Sequence, residues 1–173
     1  MSKIINWPDG IIFKDAGNIS HWWWPWVKPV FAWETQDPSV IYCDSNNIFH
    51  KPYQPKGVTD FGSIPGALQV VPSMNPLRFK IPCMFHDDVY QTHKFLISKD
   101  NGITWEIVPV TERQANDRLH DMIKINPNSP GNEAEANAYW LGVQAGGWTH
   151  WKNRANSILR LRRTLSINPN FVV

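Results

Sequence analysis

Only two cysteines, Cys43 and Cys83, occur in 173 residues. A small secreted disulfide scaffold needs more, so the fold must rest on a packed core whether or not these two pair. Charge is scarce as well. Asp, Glu, Lys and Arg make up 18% of the chain, against about a quarter in an average domain. The net charge of +2 sets up no strong field, so no specific nucleic-acid binding is expected. No apolar run approaches the roughly 20 residues of a membrane span. Residues 1–9 are polar and interrupted by Pro8, so the expectation is no signal peptide and no transmembrane segment. The chain is expected to be made and kept in a cytoplasm, or packaged into an assembly from there. Internal repeats and low-complexity segments are missing too.

What the chain has in excess is tryptophan and proline, 10 and 14 residues. Proline shortens regular elements and favours extended connections. Tryptophan supplies either an aromatic core or an exposed contact surface. His21-Trp22-Trp23-Trp24-Pro25-Trp26 puts indoles in succession, and consecutive side chains cannot all face one side of a strand or helix. The segment therefore reads either as a thin sheet packed on both faces or as a docking patch.

Length predicts one domain, residues 1–173, with an α+β fold. The β-rich part spans 1–80, a helical part 81–165 and a tail 166–173. Strands are expected at 11–14, 27–33, 39–43, 48–53 and 77–80, separated by turn formers such as Gln36-Asp37-Pro38. A helix should run from about Pro82 to Lys94, with proline in its first turn. Asn101-Gly102 between apolar runs at 95–98 and 103–108 predicts a β-hairpin. Thr111 followed by Gln114 predicts a capping box and a helix to about Ile125. Its apolar stripe is Ala115, Leu119 and Met122, with Asp117, His120, Asp121 and Lys124 opposite. A third helix starts near Asn132, and Gly146-Gly147 is expected to break or kink it. Residues 148–165 read as a further, basic helix.

The chemistry concentrates in Cys83 to Tyr90. His86 and Tyr90 are four apart and share a helix face, and Asp87 lies about 100° round from His86. A histidine is the side chain most easily made a base near neutral pH. The hairpin folds the next helix back beside this one, so Asp117 is expected to meet His86 and fix its tautomer. Tyr90 would donate to the same carboxylate. Upstream, Asp60 opens a Gly/Pro-rich loop, and a carboxylate with backbone carbonyls is the donor set of an oxygen-loving cation. Asp60 and Asp87 are the expected metal ligands.

His-Asp-x-x-Tyr on a helix, a β-hairpin and an Asp on the partner helix resemble the core of the secreted phospholipase A2 superfamily. That resemblance implies His86 as the base for water, Asp87 as a calcium ligand, and Asp117 and Tyr90 as supports of His86. The chain is also similar to a family of uncharacterised phage and prophage proteins. The matching segments are Val-Thr-Asp-Phe-Gly-Ser-Ile-Pro at 58–65, His86 to Tyr90, Arg113 to Asp117, and Tyr139, Val143, Gly146 and Trp151. This resemblance implies a host-cytoplasm product that enters the phage particle.

Three readings follow. The first is a phage-associated, metal-assisted hydrolase that cleaves phospholipid ester with calcium. The second is a peptidoglycan hydrolase of the cell envelope with Asp60, His86 and Asp117 on zinc. The third is a virion or tail component without activity, docked to other virion proteins through the Trp-rich segment.

Overall fold

Short alternating strands bounded by turn residues come first and amphipathic helices follow, which is the α+β arrangement expected. The computed structural model describes residues 3–6, 11–21, 24–35, 41–59, 76–126 and 130–152. Six strands lie in the first part: β1 (Lys3–Asn6), β2 (Ile11–His21), β3 (Trp24–Thr35), β4 (Ile41–Cys43), β5 (Phe49–Lys51) and β6 (Lys56–Thr59). Helix α1 (Lys80–Thr92) leads into the hairpin β7 (Lys94–Ser98) and β8 (Glu106–Pro109). Helices α2 (Glu112–Lys124) and α3 (Glu133–Lys152) complete the described chain. One antiparallel sheet has the order β1-β4-β5-β7-β8 and a second the order β2-β3-β6.

The side-chain alternation of the larger sheet sets up the site. Tyr42 pairs with His50 and His50 with Ile97, so these three share one face. All three are buried, and that face carries the helices. The helices pack through Phe79, Cys83, Leu119, Ile123, Tyr139 and Val143. A second cluster joins Trp33 and Tyr42 of the sheets to Met84, Phe85 and Met122. The two cysteines are buried and neither is in a disulfide.

Capping chemistry fixes both later helices. The Gln114 N–H donates to Thr111 Oγ1 and the Thr111 N–H to Gln114 Oε1, the reciprocal box that was expected. Asn132 and Glu135 repeat the pattern at the start of α3, each backbone N–H donating to the other side chain at 2.9 Å. Asn101 and Gly102 both have positive φ, as a tight hairpin turn requires.

Several expectations are corrected. Residues 76–79 form a 3-10 turn that feeds α1 and not a strand, because Pro76 and Pro82 favour helix starts over ladder pairing. β8 begins at Glu106 and not at Ile103, since Asp100 accepts from both the N–H and the hydroxyl of Thr104 and keeps that stretch in the turn. Helix α3 continues unbroken through Gly146-Gly147. Strands β1 and β6 were not anticipated. The side chains of the Trp-rich segment, Asp60 with its loop, and everything after Lys152 lie outside the described residues.

β6 passes directly beneath Trp33. A Cβ on Gly57 would lie 2.8 Å from the indole ring, closer than atoms pack. Gly57→Ala is therefore expected to lower stability by about 1–3 kcal/mol, read by denaturant melts.

Candidate functional site

Helix α1 is buried along most of its length, and the side chain of His86 is only 3% exposed. Its Nε2 lies 2.9 Å from Asn116 Oδ1, across the gap to α2. The Tyr90 hydroxyl donates to the same oxygen at 2.8 Å. With Asn116 Oδ1 turned to the ring, the neutral imidazole that fits carries its proton on Nε2 and its lone pair on Nδ1. Among the described residues Nδ1 has no hydrogen-bond partner, and a carboxylate oxygen, Asp87 Oδ1, lies 3.7 Å from it. The other oxygen of Asp87 accepts from the Thr59 hydroxyl at 2.5 Å. Thr59 is the last residue of β6.

The Tyr90 ring lies on the imidazole, centroids 4.1 Å apart, and Trp151 of α3 meets Tyr90 edge-on at 4.9 Å. Burial, with the Glu112 carboxylate 3.5 Å from its hydroxyl, pushes the Tyr90 phenol up, so it stays a donor. His93 sits beyond the end of the shared face. It caps α1 with φ 56° and stacks on Trp151 at 3.9 Å.

The structure brings His86, Asp87 and Tyr90 together and does not bring Asp117 to them. The Asp117 side chain is 53% exposed, receives the Trp140 indole N–H at 3.0 Å and lies 3.8 Å from Arg113. The reason is angular. The buried stripe of α2 is Ala115, Asn116, Leu119, Met122 and Ile123, and residue 117 lies about 100° beyond it. Asn116 takes the position expected of Asp117. A polar residue in register with Leu119 and Ile123 was the available signal.

Two further buried polar groups were not anticipated. Asp44 accepts from the N–H groups of Asn46 and Ile48 and from Arg118 Nη1 at 2.8 Å, with His50 Nε2 at 3.2 Å. Burial raises the Asp44 carboxyl, but Arg118 and the other donors outweigh it and hold it at about 2. Burial and the Arg118 charge lower His50 to about 4, against the pull of Asp44. A cavity with room for about one water molecule is lined by His50, His86 and Arg118 among apolar neighbours. The second group is Asp88, fully buried, which accepts from the N–H groups of Tyr53 and Gln54 and from the Gln54 amide. Burial pushes Asp88 up to about 7, opposed by those N–H groups.

These shifts have opposite signs in stability. Asp88 is raised from 3.8 to about 7, so the folded state binds the extra proton and stability falls as pH rises through that window. His50 is lowered from 6.5 to about 4, so the unfolded state binds the extra proton and stability rises with pH in its window. Between about pH 4 and 6.5 the two contributions offset. Asp88→Asn removes one of them. Melts of this variant should gain stability with pH across that range relative to the parent, by at most about 1.4 kcal/mol per pH unit.

Comparison with known proteins finds no family model, no curated protein and no solved structure that matches this chain.

Proposed function

We propose that this chain is a phage-associated, metal-assisted hydrolase that uses His86 as the base on water, with phospholipid ester as the favoured substrate. The observation that carries the reading is a buried imidazole tied through Nε2 to Asn116, with Nδ1 bare beside the Asp87 carboxylate. Phage association rests on the ordered segments at 58–65 and 86–90.

In this reading Nδ1 takes a proton from water as the water oxygen attacks the ester carbonyl carbon. The tetrahedral oxyanion then collapses, the bond to the leaving alcohol breaks, and the imidazolium returns its proton to the departing oxygen. Asn116 and Tyr90 hold the ring in the productive tautomer throughout. Asp87, with Asp60 one residue beyond its partner Thr59, supplies carboxylate oxygens of the type a calcium ion takes. When bound, such an ion would polarise the ester carbonyl. The zinc alternative is weaker, because Asp117 stands on the solvent face of α2, away from His86. Among the described residues no three His, Cys, Asp or Glu side chains cluster as a metal site.

The test is a panel of phospholipid vesicles, a simple ester and peptidoglycan, each with and without calcium or zinc. Calcium-dependent fatty-acid release from phospholipid is expected. Zinc-dependent cleavage of peptidoglycan would move the reading to the cell envelope. If none is cleaved, the enzyme reading falls and His86, Asn116 and Tyr90 are the packing of a virion component.

A further inference from the structure

The larger sheet has a second face, turned away from the helices. Lys51 pairs with Leu96 and Leu96 with Ile107, so these three form one row on that face. Lys94 lies two residues from Leu96 on the same side. Lys51 Nζ sits 4.2 Å from the centre of the Trp105 ring, and Lys94 Nζ 4.8 Å from that of Tyr53. Neither lysine has a carboxylate partner among the described residues, whereas Lys99 nearby is paired with Glu106. Ile107 is 56% exposed, and Ile103, in the hairpin loop, is 80% exposed.

We infer that this face docks on an anionic lipid bilayer, with the β7–β8 hairpin entering the headgroup layer. Exposed aliphatic tips, amphipathic rings and uncompensated lysines are together what the bilayer interface favours, the lysine stems lying along apolar surface while their ammonium groups reach phosphate. Protein interfaces are depleted in lysine, so the same set fits a protein partner less well. A second copy of this chain fits worse, since a symmetric contact would set the lysines against each other. Pro109 at the end of β8 also removes a donor that strand addition at this edge would use. The face lies on the opposite side of the sheet from His50 and the His86 cavity, so a bilayer held here is not the surface presented to His86, and attachment is independent of any chemistry there.

The experiment is co-sedimentation of the full chain with vesicles of phosphatidylcholine alone and of phosphatidylcholine mixed with phosphatidylglycerol. Binding should be confined to the anionic vesicles and should weaken with salt. Each lysine at such a surface is worth roughly fivefold in partitioning, so Lys51→Glu with Lys94→Glu should reduce binding by at least about 25-fold. Ile103→Asp with Ile107→Asp should reduce it further. Arg113→Glu, an exposed charge on α2, should leave it within about twofold, and all variants should melt as the parent does. Equal loss with Arg113→Glu would show a general charge effect and overturn the assignment. Failure to bind either vesicle would also overturn it and leave the face to a protein partner. Neither outcome depends on whether phospholipid is cleaved.

Discussion

His86→Ala should lower calcium-dependent hydrolysis by about 10²–10⁴-fold, the usual loss when a positioned base is removed. Because His86 is buried, the alanine variant also loses packing against Tyr90, so His86→Gln, which keeps volume, is the companion to test. Both should lose the rate, and the glutamine variant should keep more of the stability. The neighbours separate the roles. Asn116→Ala removes the acceptor that fixes the ring and should cost roughly 10–100-fold, the range seen when an orienting partner is lost. Asn116→Asp keeps an acceptor at Nε2 and adds a charge that favours the imidazolium, so it should retain most of the rate. Asp117→Asn should do nothing measurable, since Asp117 touches Trp140 and Arg113 and not His86. Asp87→Asn should act through the cation, and excess calcium should restore part of the loss. Steady-state rates for this set, with melts to check folding, give the comparison. An equal rate for His86→Gln and wild type would place the base elsewhere.

The largest stability effect is expected at Asp88. Its carboxyl gathers the Tyr53 and Gln54 N–H groups from a segment more than thirty residues away, at 2.7 and 3.4 Å, plus the Gln54 amide. Asp88→Ala leaves those donors without an acceptor. A buried donor left without its acceptor costs about 1–3 kcal/mol, and the desolvation that raises the Asp88 carboxyl offsets part of the loss. The net cost should be about 3 kcal/mol, or roughly 6–12 °C in melting temperature for a chain of this length. Asp88→Asn, which keeps an oxygen for the Tyr53 N–H, should lose much less. Loosening this anchor also frees the approach to β6, so Asp88→Ala should weaken any calcium effect on the melt.

The helices and the hairpin were legible because their signals are local. Thr111 and Gln114 form their box within one turn, and Asn101-Gly102 needs only its own positive φ. His86, Asp87 and Tyr90 lie together because helical spacing alone puts them there. Asn116 was missed for a reason that is also geometric. One residue is about 100° of helix, and whether 116 or 117 meets His86 depends on how α2 rolls against α1. That roll is set by Leu119 and Ile123 packing on Phe79 and Tyr139, which only the assembled core reveals. β6 was not anticipated because its glycine has no value as a strand former. The close approach of Trp33 that requires Gly57 comes from a partner strand far away in sequence. Asp44, His50 and Arg118 were silent for the same reason: Arg118 is 74 residues from the carboxylate it binds.

The central claim is that the His86 ring presents a bare Nδ1, and nitrogen-15 spectra of the neutral imidazole report this directly. Long-range nitrogen–proton correlations should show a protonated Nε2 and an unprotonated Nδ1 for His86, and Asn116→Ala should blur that preference. A ring protonated at Nδ1 would contradict the account. It would mean that the Asn116 amide donates its Nδ2 to Nε2 while Asp87 holds the Nδ1 proton, which leaves His86 no lone pair to offer a water.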